Sequence, residues 1–512
     1  MNKNQNKIVM VLLILTSTFF NANATEVFKS KAAGGGVNEF KQYSMCRNNL
    51  NNGFLYAGTT KNAFGDDGIH IIKTDNALNT VWSFSYMEVP QHSLNATKII
   101  NNNTGNGYWI SGYWGDGGGF YPFVMQIDEL GNVTMHNMGN TKGVFLDVAP
   151  TSDGGCIAVG FLSDNIHEGV STGRRGFVAK FSAILAVNWT NIFHTNSRTS
   201  RDINFFECAE NVTVINNIRT GNNDYYFITG SVSDTLVKSA TQNVPNLFYL
   251  YVNNTGGLIY KSTSLRLGNA LDAVYDATDH SIYYIGKWDV KNTDQQGVIG
   301  KIDVGTGNVI YQKLFEGGFT GFPYPHFVVP YKIELNDDKL MVFGHIRAYV
   351  MSSPPTVTSD NIMIPFHAVL NKIDASQVSF TINHTNINRT DGYPSLDPGF
   401  LNAWDNIVSA VYTAHFPSIY VPEMGLKYYD INGNLQWGMI SYNDQSGGPI
   451  EYDLQLITSE GTGECYPADR NLVYYDKKDI TVETHYLPIL YDTHTMFIQK
   501  TMVTCNDESC RP

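Results

Sequence analysis

Asp153-Gly-Gly-Cys-Ile-Ala-Val-Gly160 is followed by Gly176-Phe-Val-Ala-Lys-Phe-Ser182 and then by Trp189. Asp-Gly-Gly marks a turn, because a short acidic side chain and glycine both relieve tight backbone geometry. Cys156 to Val159 is a short apolar run that closes on a glycine, too short for a helix. Phe177 to Phe181 repeats that length and ends on polar residues. Turn, strand, loop, strand, turn and aromatic strand are the parts of one antiparallel sheet.

Working outward, the first strand recurs along the chain. It reads Gly53-Phe-Leu-Tyr-Ala-Gly58, Gly107-Tyr-Trp-Ile-Ser-Gly112, Tyr225-Tyr-Phe-Ile-Thr-Gly230, Ile282-Tyr-Tyr-Ile-Gly286 and Leu340-Met-Val-Phe-Gly344. A weaker copy is Ile407-Val-Ser-Ala-Val411. The second strand recurs as Ile69-His-Ile-Ile-Lys-Thr-Asp75, Phe123-Val-Met-Gln-Ile-Asp128, Val298-Ile-Gly-Lys-Ile-Asp303, Ala368-Val-Leu-Asn-Lys-Ile-Asp374 and Leu426-Lys-Tyr-Tyr-Asp430. Asp128-Glu-Leu-Gly-Asn-Val133 and Asp303-Val-Gly-Thr-Gly-Asn-Val309 predict turns capped by Asp, with Gly or Asn at a positive φ. Trp82, Trp189 and Trp437 follow the repeat and are expected in the core. Candidate inner strands precede each copy, clearest at Phe145-Leu-Asp-Val-Ala149 and Leu271-Asp-Ala-Val-Tyr275.

One such sheet cannot bury both faces, and stacking copies around an axis solves that. The expected fold is therefore all-β: a β-propeller of four-stranded antiparallel blades. Seven copies begin near residues 46, 93, 144, 203, 269, 322 and 393. Six or eight blades, or a linear stack of sheets, are the alternatives. Glu451-Tyr-Asp-Leu-Gln-Leu-Ile457 is a candidate strand for closing the ring beside the first blade. The reading divides the chain into 1–24, a propeller over 25–460 and a cysteine-containing β tail over 461–512. In that tail, Ile480–Tyr486 and Met496–Met502 alternate like two strands.

Asp153-Gly-Gly-Cys-Ile-Ala-Val-Gly160, with Gly176-Phe-Val-Ala-Lys-Phe-Ser182 and Trp189, resembles the secreted propeller repeats frequent in Bacteroidetes-type surface and secreted proteins. The match covers residues ~46–442 with varying fidelity. The resemblance implies a structural motif of turns and blade cores, and it brings no catalytic residue.

The N-terminus predicts the compartment. Lys3 and Lys7 precede the apolar run Ile8–Phe20, and Ala22-Asn23-Ala24 offers small residues for cleavage after Ala24. Together these predict a secretory signal peptide and a secreted or cell-surface protein with no later membrane span. A membrane anchor is the alternative reading of the run. Cys46, Cys156, Cys208, Cys465, Cys505 and Cys510 are even in number, so an oxidising compartment permits disulfides.

Charged residues are 16% of the 512-residue chain and the net charge is −13. A diffuse negative surface opposes binding to nucleic acid. No zinc spacing, sialidase Asp-box, G-x-S-x-G elbow or HExxH motif occurs. Asp66, Asp67 and Asp116 lie in acidic, glycine-rich stretches whose oxygens could coordinate Ca²⁺, with a plain turn as the alternative. Asp147 and Asp272 hold equivalent places in inner strands and could ring a channel, or bond to a nearby turn.

Aromatic loops are the stronger hint of binding. Tyr113, Trp114, Phe120 and Tyr121 are expected in a glycine-rich loop, and Phe322, Tyr324 and His326 in a Pro-rich one. Such rings can form a flat surface for a sugar or a protein, or cover blade edges. Three functions follow: a non-enzymatic binding or adhesion propeller recognising a glycan or an extracellular protein, a secreted hydrolase or lyase acting at the channel, or a structural part of an extracellular assembly. The chain is Asn-rich, which also fits a protist origin. Asn95, Asn102, Asn132, Asn188, Asn211, Asn253, Asn383 and Asn388 each begin an Asn-x-Thr sequon.

Overall fold

The computed structural model describes residues 27–32, 39–50, 52–61, 67–75, 80–89, 92–102, 104–105, 107–115, 119–162, 175–195, 207–217, 223–233, 245–261, 264–267, 270–290, 294–315, 327–350, 360–382, 425–429, 435–444, 452–460, 478–479, 482–485 and 497–502. Among them there is no helix, and the strands form seven antiparallel sheets. Seven is also the number of repeats in the sequence.

Each sheet is one repeat, ordered from an inner to an outer strand. Blade one is Glu39–Arg47, Gly53–Lys61, Asp67–Asp75 and Thr80–Val89; blade two is Ser93–Asn101, Tyr108–Gly115, Phe120–Ile127 and Val133–Met138. Blade three is Gly143–Pro150, Cys156–Leu162, Arg175–Phe181 and Val187–Thr195. Blade four is Glu207–Asn217, Asn223–Ser233 and Pro245–Asn253, with Leu258–Lys261 and Ser264–Leu267 both paired to Pro245–Asn253. Blade five is Asp272–Asp276, Ser281–Val290, Asp294–Asp303 and Val309–Phe315; blade six is Phe327–Asn336, Lys339–Val350, Asp360–Asn371 and Gln377–Ile382.

The last sheet joins the two ends of the ring. Gly425–Tyr429 packs on the inner strands of both blade six and blade one. It pairs with Leu435–Asp444, which pairs with Tyr452–Glu460, which pairs with the N-terminal Val27–Ala32. The expected closing strand thus lies inside this sheet, where an N-terminal strand is added to it. Ile407–Val411 lies outside the described residues.

Alternation along each strand explains why the sheets stack. Successive side chains point to opposite faces, so every strand feeds two cores. Tyr108 and Ile110 pack toward blade one, whereas Trp109 between them packs toward blade three. Each of five apolar clusters is shared by two consecutive blades. A fully buried aliphatic or aromatic side chain contributes about 1.5–3 kcal/mol relative to exposure, so these shared cores hold the ring together. The glycines that bracket the repeat strand serve the same packing. A Cβ on Gly160 would lie 1.9 Å from the Val144 carbonyl oxygen, so only glycine lets the inner two strands pair there.

Hydrogen bonds from outer strands to the next blade's turn reinforce the cores. Trp82 Nε1 donates to the Glu129 carbonyl, and Trp189 Nε1 to the Asn254 carbonyl. Tyr86 reaches Gly131, Asn137 reaches Leu185, Tyr260 reaches Val304 and Tyr311 reaches Lys372 in the same manner. Trp82 and Trp189 are therefore part-buried bridges between blades as well as core residues; the Trp437 side chain lies outside the description.

Cys46 and Cys156 are free, buried thiols, each inside an apolar cluster, so neither forms the disulfide that an even cysteine count permits. Burial pushes both thiols well above their ordinary range. The side chains of Cys208, Cys465, Cys505 and Cys510 lie outside the description. The two tail segments form the strands Val482–His485 and Phe497–Met502, but they do not pair with one another. Phe497–Met502 adds to the outer strand of blade one, Val482–His485 to that of blade three, and Lys478–Asp479 to Ser264–Leu267 of blade four.

Candidate functional site

The two ends of the ring differ. At one end, among the described residues, tight turns join strands one and two of blades three, five and six and strands three and four of blades two to six. Asp128 Oδ1 accepts the Leu130 and Asn132 amides, Asp303 Oδ1 accepts Thr306, and Gly131 and Gly307 have φ of 74° and 70°. At the other end lie the connections 163–174, 196–206, 234–244, 316–326 and 351–359, outside the described residues. Phe322, Tyr324 and His326 belong to one of these. Asp66 and Asp116 also lie outside the described residues, at this same end of the sequence pattern; Asp67 opens a strand opposite Lys61. Among the described residues no group of three or more His, Cys, Asp or Glu is placed to hold a metal.

The aromatic residues of blade two are placed by strands rather than by a loop. Strand formation continues to Gly115↔Phe120, so Trp114 pairs with Tyr121 and Tyr113 with Pro122. Aromatic cross-strand pairs favour this extension. Trp114 stacks on Tyr121 at 4.4 Å, and Phe120 meets Tyr113 edge-on at 5.0 Å. Trp114 is buried, its Nε1 donating to the Gly139 carbonyl at 3.0 Å, with His92 against its ring. Phe120 is 56% exposed. The hairpin thus carries two aromatic pairs on opposite faces: the Trp114–Tyr121 stack, packed toward blade one, and Tyr113 with the exposed Phe120, on the side of blade three.

The channel end of the inner strands carries a second arrangement. Ser44, Lys98, Asp147, Asn211, Asp272 and Lys332 occupy the same register position in blades one to six, each opposite the residue before the repeat glycine or its equivalent. In five of these strands a β-bulge immediately precedes the residue and re-aims it. Each carboxylate binds across to the next blade. Asp147 Oδ2 accepts the Val212 amide at 2.9 Å, and Asp272 Oδ2 accepts the Ile333 amide at 2.8 Å. Asn211 donates to both carboxylates, at 3.0 and 3.1 Å. Lys98 lies 3.4 Å from Asp147, and Lys332 lies 3.3 Å from Asp272. Ser44 Oγ accepts the Ile99 amide at 3.0 Å.

Burial raises Asp147, although Lys98 and the Val212 amide oppose it. Burial lowers Lys98, aided by the like charge of Lys332. For Lys332 burial disfavours the charge, but Asp272, Glu334 and Asp147 outweigh it and hold the ammonium above its ordinary value. Asp147 and Asp272 do hold equivalent places in their inner strands, but the hydrogen bonding expected toward a nearby turn goes instead to backbone amides in the next blade's inner strand. Sequence reading missed Ser44, Lys98, Asn211 and Lys332. For Ser44 and Lys98 the signal was their distance ahead of Gly58 and Gly112, the same as that of Asp272 ahead of Gly286; Asn211 lies farther from Gly230 and Lys332 nearer to Gly344, so spacing did not mark them.

No family model matches the chain, and none of the curated proteins does. Among solved structures the chain is similar to a europium-containing methanol dehydrogenase, at 8% identity and TM-score 0.37, covering 84% of this chain and 93% of that one. It is similar to a Synechocystis apocarotenoid oxygenase mutant at 12% identity and TM-score 0.27, covering 89% and 98%. The activities named for those proteins are not transferred to this chain at such identities.

Proposed function

We propose that the protein is a secreted or cell-surface binding propeller, with residues 1–24 as its signal peptide, which recognises a glycan through the end of its blades at which strands two and three connect. One observation carries the reading: exposed Phe120 is braced edge-on by Tyr113, on the face of the hairpin opposite the buried Trp114–Tyr121 stack. A ring held rigidly at the surface pairs an apolar face with little ordering cost, which suits the CH faces of a sugar. The channel supports a non-catalytic role. Asp147 and Asp272 each spend an oxygen on a backbone amide of the next blade, so they act as inter-blade ties.

The test is binding of the secreted chain to a broad glycan array, in calcium and then in EDTA, beside Phe120→Ala. Selective, saturable binding that falls at least several-fold in Phe120→Ala is expected. Loss in EDTA would place calcium in the acidic connections. Absence of binding, or binding unchanged by Phe120→Ala, would overturn the reading and turn the search to protein partners.

A second reading, a hydrolase or lyase at the channel, is favoured by the opposed shifts of Asp147 and Lys98, since perturbed pairs gather at active sites. Turnover abolished by Lys98→Met in a folded protein would establish it.

A further inference from the structure

We propose that this chain is built to fold where asparagine-linked glycosylation does not act, because three of its sequons place the acceptor asparagine inside the fold. Asn95, Asn102 and Asn211 are 5%, 4% and 5% exposed. A glycan is bulky and strongly hydrated, so a modified asparagine must sit at the surface. In a secretory pathway that carries the modification, the glycan is added to the chain before folding can hide the acceptor. A glycan on Asn211 would occupy the channel and replace one of the two amide hydrogens, so Nδ2 could no longer donate to both Asp147 and Asp272. One on Asn95 would enter the inner strand of blade two, where Asn95 faces Tyr113 in register.

The sequon pattern has its own structural cause. The Thr104 hydroxyl donates to Asn102 Oδ1 at 3.0 Å, Thr213 to Asn211 Oδ1 at 3.3 Å, and Thr255 to Asn253 Oδ1 at 2.8 Å. Asn-x-Thr here is a local hydrogen-bonding unit, of the kind that shapes turns and bulges. Asn132 and Asn188, by contrast, are exposed and could carry a glycan without disturbing a core. The inference rests on burial and is independent of what the propeller binds.

The test sends the full chain, behind a eukaryotic leader, into the yeast endoplasmic reticulum with and without an inhibitor of glycan-precursor synthesis. Thr97→Val/Thr104→Val/Thr213→Val, which lacks the three sequons, is carried alongside. Peptide mass spectrometry reads site occupancy, and protease resistance reads folding. Without inhibitor, glycans on Asn95, Asn102 or Asn211 and aggregation are expected. With inhibitor the protease-resistant fraction of the natural chain rises several-fold. The triple variant also loses the bond from the buried Thr97 hydroxyl to the Phe145 carbonyl, so it is compared only with itself, and inhibitor leaves its resistant fraction unchanged. A soluble, resistant chain bearing glycans at these positions would overturn the proposal. So would equal folding of the natural chain in both arms with the three sites skipped, and so would misfolding of the natural chain that persists with inhibitor.

Discussion

The ammonium of Lys180 lies 2.8 Å from the carboxylate of Asp153, joining the third strand of blade three to the turn between its first two strands. The same nitrogen donates to the Phe181 carbonyl at 2.8 Å, and Asp153 Oδ1 also accepts the Gly155 amide and the Thr151 hydroxyl. This contact is the physical link between the Asp-Gly-Gly turn and the Phe-x-x-Lys strand of blade three. Lys301 and Asp279 repeat it in blade five at 2.7 Å.

Lys180→Met keeps the stem packed and removes the ion pair and the carbonyl bond. Lys180 is buried and Asp153 half-exposed, so the loss should be about 1–2 kcal/mol. A lower urea midpoint with an unchanged slope is the expected result. No change in midpoint would mean the contact is idle.

Acid should weaken the fold through the same groups. Burial opposes ionisation of Asp153, Asp276 and Glu129, but hydrogen bonds from Lys180, Lys372 and Lys73 outweigh it and hold all three below the usual carboxylate value. A depressed folded value gives stability that is complete above the unfolded value, about 4, and is lost as pH falls through the folded one. Thermal midpoints should hold from pH 7 to 5 and drop below about 4. Lys180→Met should flatten that drop.

The channel ring predicts an order of damage at one position. Asn211→Ala leaves two carboxylates short of a donor, at a cost of about 1–3 kcal/mol. Asn211→Asp adds a third buried carboxylate and should cost more, about 3–5 kcal/mol. Burial and like charge would raise that new group, so its deficit should shrink as pH falls from 8 to 5. Equal damage from the two variants would show that the charges of Asp147 and Asp272 are not felt at this site.

The outer turn predicts changes of opposite sign. Gly131 and Ala375 hold equivalent positions with φ of 74° and 53°. Gly131→Ala should cost at least about 1–2 kcal/mol, since the left-handed region strains an L-residue and its Cβ would meet Phe84 at 2.8 Å. Ala375→Gly should raise stability by no more than about 0.5 kcal/mol, the relief being largely offset by the freer unfolded chain and by loss of a methyl buried in the cluster shared by blades five and six. Calorimetry of the two variants reads both.

The propeller, its sheets and their tight turns were legible because they are local and repeated. Period-two apolar strands and Asp-x-x-Gly turns act within a few residues, and repetition averages out individual departures. The Lys180–Asp153 pairing was present as a spacing, although not as a contact. Trp114 was read as a loop aromatic because its strand continues past the repeat glycine Gly112, and cross-strand pairing with Tyr121 depends on a register that sequence does not display.

By itself, then, the sequence determined the all-β class, the blade unit and the glycines that let strands approach, since each follows from short-range sterics and side-chain alternation. Only the tertiary structure decided which side chains meet from different blades: the ring from Ser44 to Lys332, the burial of Asn95, Asn102 and Asn211, and the spread of the C-terminal strands over three blade edges. Such contacts join residues far apart in the chain, and closure of the ring is what brings them within hydrogen-bonding distance.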